Sequence, residues 1–148
     1  FLASCRHAFI LISTDMIQLG KLAKYSLVCL KKILSMLGQD LAMGYDIGCN
    51  HSKTITNSTL DPMAHSQALQ VFVGAFHGYA HNWQCQLQYH PQFITSAGLK
   101  VFETNKWIFS KQNLTALLFW HASEYHRHVT LHCFWVRWDE DQQAGLGA

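Results

Sequence analysis

A chain of 148 residues with 49% hydrophobic side chains is long and apolar enough to bury one sizeable core, which argues against intrinsic disorder. Only 14% of the residues are charged and the formal net charge is +2, too small to establish a nucleic-acid partner on its own. Cys5, Cys29, Cys49, Cys85 and Cys133 are odd in number and form no CxxC pair, which speaks against a secreted disulfide framework. No signal peptide is visible, and no apolar run approaches the roughly eighteen residues that would span a bilayer. An intracellular setting is therefore expected, and the sequons at Asn50, Asn57 and Asn113 carry little weight. So low a charge content is what a piece of a larger fold would show, with apolar faces built to meet further elements. The opening at Phe1, close to the apolar run Ala8–Ile12, points to the same expectation.

In chain order, Phe9–Ile12 reads as a buried strand or short helix. From Ala23 to Leu37 the pattern is helical, because Leu27, Leu30, Leu34 and Leu37 recur at threes and fours before Gly38. Gln39-Asp40 is a turn, and Leu41–Ile47 a short strand that ends near Asp46. Asn50–Thr59, rich in Ser, Thr and Asn, reads as a loop. Asp61-Pro62 starts a helix, with Asp61 as N-cap, that would run to about Gln84 and share a face among Leu69, Phe72, Val73, Phe76 and Ala80. Gly74 and Gly78 weaken that helix, and Val71–Phe76 as a strand is the alternative. A break is expected at His90-Pro91, then a connector to Gly98 and a short helix over Phe102–Phe109. Leu114–Tyr125 reads as a helix, continuing toward Cys133, that buries Leu114, Leu117, Leu118, His121 and Tyr125. Gln142–Ala148 reads as a flexible tail.

Two groups of residues could carry chemistry. Asp46 stands at the end of an apolar strand, where backbone direction is fixed, and a carboxylate there can hold a hard divalent ion or simply cap the turn at Gly48. Glu103 or Glu124 could supply a second carboxylate. The other group is His77, His81 and Cys85, whose spacing of four places them on one helical stripe. On an unbroken helix the stripe spans about 12 Å, too long for one tetrahedral zinc centre. A break after His81, or a further ligand from Cys49, His51 or His90, would be needed; otherwise the stripe is packing. His128 and His132 form a weaker pair. A nucleophile elbow, a P-loop and a dinucleotide fingerprint are all missing from the sequence. Lys100, Lys106, Lys111, Arg127 and Arg137, near Trp107, Trp120, Trp135 and Trp138, suit phosphate contacts and base stacking, though also a solvated surface over an ordinary core.

Several segments together resemble the Kyakuja–Dileera–Zisupton (KDZ) transposases, a group abundant in mushroom-forming fungi. They are Cys5-Arg6-His7, Ala23-Lys24-Tyr25, Gly44-Tyr45-Asp46-Ile47-Gly48-Cys49 and the long block Val73-Gly74-Ala75-Phe76-His77-Gly78-Tyr79-Ala80-His81-Asn82. Cys85-Gln86-Leu87-Gln88-Tyr89-His90-Pro91, Gly98-Leu99, Phe109-Ser110-Lys111-Gln112-Asn113 and His121-Ala122-Ser123-Glu124-Tyr125-His126-Arg127 continue the match. The resemblance implies an RNase H-like, acid-triad enzyme that cuts and rejoins DNA with Mg²⁺, in which Asp46 matches what looks like the second acid. It also implies a family-specific insert that chelates zinc through the His/Cys block, which favours His77, His81 and Cys85 as ligands, and Cys49 is taken as the further one. After Gly98-Leu99 the family continues as Glu-Asp-Gly-Glu-Gly-x-Glu-Arg, whereas this chain reads Lys100-Val101-Phe102-Glu103-Thr104-Asn105-Lys106-Trp107. Glu103 keeps the register of one glutamate, while Lys106 and Trp107 replace the second glutamate and the arginine. The first aspartate of the triad is expected upstream of Phe1.

The expected architecture is therefore mixed α/β and mostly helical: a partial RNase H-like catalytic core over residues 1–141 with a His/Cys-containing helical insert. The expected function is that of a fragment or degenerate copy of a DNA transposase, inactive alone, with Asp46 and Glu103 as remnant catalytic Mg²⁺ ligands. Transposon-end DNA is the expected partner, together with self-association or a missing N-terminal part of the same domain, and the nucleus the expected compartment. A non-catalytic DNA- or zinc-binding module, and a helical interaction protein, are the alternatives.

Overall fold

The computed structural model describes residues 1–16, 22–97 and 100–147. In chain order these form β1 (Leu2–Ser4), β2 (Ile10–Ser13), α1 (Ala23–Leu37), β3 (Ala42–Gly44), α2 (Gly48–Thr56), α3 (Asp61–Ser66), β4 (Gln70–Phe72), α4 (Ala75–Gly78), α5 (Trp83–Tyr89), α6 (Thr104–Gln112), α7 (Ala116–Phe119) and α8 (Glu124–Leu146). Single 3₁₀ turns lie at Pro91–Phe93, Thr95–Ala97 and Asn113–Thr115. The protein is mixed α/β and mostly helical. Gly98 and Leu99, part of the family-like pattern, lie outside the described residues. The described residues divide into two compact units, one of Phe1 with Thr14–Glu103 and the other of Leu2–Ser13 with Thr104–Ala148.

The first unit is organised around a parallel crossover. β3 and β4 pair in parallel, Ala42 with Gln70, Met43 with Val71 and Gly44 with Phe72. Parallel strands cannot be joined by a tight turn, and residues 45–69 fill the connection with α2 and α3. α1 follows its leucine repeat: Leu30 and Leu34 are buried on one stripe with Cys29 and Ser26, and the helix stops at Gly38, whose φ of +80° suits a residue without Cβ. Leu37, read as part of that stripe, is instead exposed at the frayed end. Leu30, Leu34, Ile55, Leu60 and Ala64 form the core, flanked by Leu27, Leu41, Met43, Leu69 and Val71.

Two expectations fail in this unit for identifiable reasons. Most of Asn50–Thr59, read as a loop, is helix α2. Its hydroxyls bond back along the helix, Thr54 Oγ1 to the Asn50 carbonyl (3.0 Å) and Thr56 Oγ1 to the Ser52 carbonyl (3.1 Å), and so do not compete with it. His51 and Ile55, four apart, supply the buried face. The long helix expected from Asp61 to about Gln84 is three short helices and a strand. Asp61 is the first helical residue and not the cap, which is Leu60. The helix ends at Ser66, Ala68 turns through φ +51°, and the chain enters β4. Strand pairing overrides helix propensity there, since the Gln70 amide donates to the Leu41 carbonyl (2.8 Å) and the Tyr45 amide to that of Phe72 (2.9 Å).

In the second unit, β1 and β2 form an antiparallel hairpin. Asn105 at the start of α6 clasps β1, donating from Nδ2 to the Leu2 carbonyl (2.9 Å) and accepting from Ser4 Oγ (2.6 Å). α8 clasps the hairpin turn and β2: Trp138 Nε1 donates to the Ala8 carbonyl (2.7 Å), and Asp139 accepts from the Ile10 amide (3.0 Å). Trp135 Nε1 donates to Gln112 (2.9 Å). These two tryptophans are thus hydrogen-bonded parts of the unit, while Trp107 and Trp120 are exposed. The helix expected over Leu114–Tyr125 is broken, because Ser123 caps a new helix by accepting from the His126 amide (3.4 Å). Its supposed buried side, with Leu114, Leu117, Leu118 and Tyr125, is exposed instead. α8 continues to Leu146, through most of the segment read as a tail.

Candidate metal centre

Cys49 lies in the first turn of α2, immediately after the Asp46-Ile47 turn that follows β3. His81 ends the turn after α4, and Asn82 then caps α5 by accepting from the Cys85 amide (2.9 Å), which sets Cys85 in the first turn of that helix. The chain therefore breaks after His81, as a shared metal site requires. His81 Nδ1 comes to 3.2 Å from Cys85 Sγ and 3.4 Å from Cys49 Sγ, and all three ligand atoms lie within 4.8 Å of one another. In a tetrahedral zinc site with bonds of about 2.3 Å to sulfur and 2.0–2.1 Å to nitrogen, nitrogen and sulfur stand about 3.6 Å apart. The trio is thus close to ligand spacing, and it could hold an ion such as zinc.

The donor chemistry fits the same ion. A main-chain carbonyl only accepts hydrogen bonds, and the Asp46 carbonyl oxygen lies 3.1 Å from His81 Nε2. Nε2 therefore carries the proton in the neutral ring and Nδ1 turns its lone pair toward the sulfurs, the arrangement of a metal-ligating histidine with an outer-shell partner. Gln86 Nε2 donates to the His81 carbonyl (2.7 Å) and steadies the residue from behind. The Cys85 thiol is pushed up to about 11, first by burial and then by hydrogen bonding and charge repulsion with Cys49, with Lys53 opposing. A metal ion must expel that proton on binding.

The other histidines divide by role. His77 stacks edge-on against His81, with centroids 5.5 Å apart, but is not part of the trio. His90 is a buried brace: its Nε2 donates to the Ala75 carbonyl (2.9 Å) and its Nδ1 accepts from the Gln92 amide (3.2 Å). His51 is buried beside Ser26 (3.4 Å) and against the Tyr45 ring, and its Nε2 has no hydrogen-bond partner among the described residues. Burial lowers its pKa. His128 and His132 are exposed on α8.

The two carboxylates singled out in the sequence sit near the trio's elements. Asp46 occupies the turn two residues beyond β3, closed by the Gly48 amide on the Tyr45 carbonyl (2.8 Å). Burial, and next the negative charge of Asp46, raise the Tyr45 pKa. Glu103 is buried, lies against Gly74 where a Cβ would collide with it, and accepts from the His77 amide at the start of α4 (3.4 Å). Among the described residues, neither Asp46 nor Glu103 joins a group of three or more metal-ligand side chains. Glu124 is the exposed first residue of α8. The Asp46 carbonyl and Gln86 as supports of His81 could not be read beforehand, since a backbone acceptor and a lone glutamine leave no spacing signature.

No curated protein and no solved structure matches the chain. The family model for Kyakuja-Dileera-Zisupton transposase matches residues 1–139, a span that takes in the trio and both carboxylates. This chain belongs to the Kyakuja-Dileera-Zisupton transposase family.

Proposed function

We propose that the chain is the C-terminal part, or a degenerate copy, of the catalytic domain of a fungal DNA transposase that works in the nucleus on transposon ends. The family match over residues 1–139 carries this reading. In it, the β3–β4 parallel pair belongs to an RNase H-like sheet, and Asp46 lies just past the carboxyl end of β3, where ligands of parallel α/β sheets gather. In this reading Asp46 and Glu103 are the residues that would hold Mg²⁺. A bound ion supplies the positive charge that activates water and stabilises the leaving oxygen of the phosphodiester. Asp46 directs its carboxylate from a closed turn, and Glu103 is anchored at the start of α4. Lys106, in place of the family's second glutamate, brings a cation to the acidic stretch. The chain alone is therefore inactive. A Mg²⁺-dependent plasmid-nicking assay should show no cleavage by the purified chain; nicking that Asp46→Ala abolishes would overturn this.

The Cys49–His81–Cys85 geometry favours a second reading that coexists with the first, a zinc-binding module retained for structure. Metal analysis should find one zinc per chain. Cys85→Ser should weaken binding by more than the ten- to hundredfold typical of losing an outer-shell partner. Wild-type protein free of zinc after exposure to the ion would overturn it.

A further inference from the structure

His81 touches both parts of the site at once. One ring nitrogen faces Cys49 Sγ and Cys85 Sγ at 3.4 and 3.2 Å, and the other lies 3.1 Å from the Asp46 carbonyl oxygen. Three residues beyond Asp46 the chain reaches Cys49, another member of the trio. The Asp46 turn is therefore held from two directions, through its own carbonyl by His81 and through the start of α2 by Cys49. Within the turn the Gly48 amide donates to the Tyr45 carbonyl at 2.8 Å, and the His51 amide to the Ile47 carbonyl at 2.9 Å.

We propose that His81 is a positioning residue: a soft divalent ion shared with Cys49 and Cys85 fixes its ring, and the ring fixes the backbone of the Asp46 turn. The inference rests on the reading of the trio as a metal site and of Asp46 as a catalytic carboxylate. The physical chain is short. With the ion in place, Nδ1 is committed as a ligand, so the remaining proton must stay on Nε2 and point at the Asp46 carbonyl. Without the ion, Nδ1 faces only two sulfurs, weak hydrogen-bond partners, so nothing commits the ring to this orientation and it can turn away from the Asp46 carbonyl. The ion thus fixes the ring in the orientation that holds the turn, and through it the direction in which the Asp46 side chain leaves the backbone.

Hydrogen exchange on the full chain tests this, read by mass spectrometry over residues 45–51 with and without zinc, with native mass spectrometry reporting zinc content. Zinc should slow exchange in that segment of the wild-type protein by about five- to tenfold, the population shift expected for one recovered hydrogen bond. Cys85→Ser should show the faster rate at all zinc concentrations. His81→Gln keeps an amide donor at the place of Nε2 but has no lone-pair nitrogen for the ion. It should therefore bind zinc weakly and show slow exchange whether or not zinc is added. Exchange in α8 should not change in any sample, which separates a local effect from general unfolding. Stoichiometric zinc with unchanged exchange at 45–51 would overturn the positioning role and leave the metal site standing. Fast exchange in His81→Gln would overturn it as well, and an absence of zinc binding in wild type would overturn both.

Discussion

Gly78→Ala tests the packing that holds the His/Cys block together. Gly78 is buried at the end of α4, and a Cβ built there runs into the His90 ring. No left-handed backbone is involved, since Gly38 alone among the characterised glycines has positive φ. With space available, alanine would therefore stabilise the helix by about 0.4–1 kcal/mol. Against that stands overpacking, typically about 1–3 kcal/mol. His90 is about 1% exposed and cannot swing aside without breaking its bonds to the Ala75 carbonyl and the Gln92 amide, each contributing about 0.5–1.5 kcal/mol. The clash should win, with a net loss of about 1–4 kcal/mol, equivalent to roughly 2–4 °C of midpoint per kcal/mol for a chain of this size. Urea unfolding followed by circular dichroism measures it. The same substitution in a His90→Ala background should be neutral or stabilising, because the ring it strikes is gone. Equal or greater stability of Gly78→Ala in the wild-type background would refute the reasoning.

Phe102→Gly weighs strain against burial. Phe102 holds φ +56°, a backbone conformation that suits glycine. Its ring also stacks on Phe72, with centroids 4.9 Å apart and planes 9° from parallel, and covers Gly44. Phe102 is half-buried, so losing its ring costs less than the roughly 3–5 kcal/mol of a fully buried one but still more than the relief of about 1–2 kcal/mol; calorimetry should show net destabilisation, and a higher melting temperature would mean the strain dominates. The pH profile of stability should carry the mark of His51. Burial lowers its folded pKa below the unfolded value near 6.5, so unfolding takes up a proton and stability, complete above that value, falls as pH drops below it. His51→Gln should flatten that slope in urea midpoints measured between pH 7.5 and 5.5; an unchanged slope would assign it elsewhere. Zinc binding should strengthen with pH, at least tenfold per unit between pH 6 and 8, because the Cys85 proton held up to about 11 must leave. A flat profile by competition titration would remove Cys85 from the ligand set.

How much of this was legible beforehand depended on whether the signal was local. The leucine repeat of α1 and its stop at Gly38 were readable because side-chain period and a helix terminator lie in one stretch of chain. β4 was legible only as the alternative strand over Val71–Phe76, because Gln70–Phe72 becomes a strand through bonds to Leu41 and Tyr45, some 30 residues away in sequence. α2 hid behind serine and threonine hydroxyls that turn inward to their own helix. At the candidate site, His81 and Cys85 shared a readable spacing, and Cys49 stood beside His51 and His90 as a candidate further ligand. Their meeting depended on a helix break at Asn82 that composition does not mark. His77 has the right spacing and the wrong place, since the turn between α4 and α5 takes it out of the stripe.

Cys49 and Cys85 lie 36 positions apart along the chain, and the segment between them contains most of the β3–β4 crossover. An ion gripped by both acts as a cross-link, so part of its effect falls on the unfolded chain, which loses the freedom to separate those points. Loop-closure entropy for a ring of that size is worth about 4 kcal/mol near room temperature, comparable to a disulfide, yet made and undone by a metal buffer. Parallel strands joined by a long connection pair slowly in general, and an ion that ties the loop shortens the search.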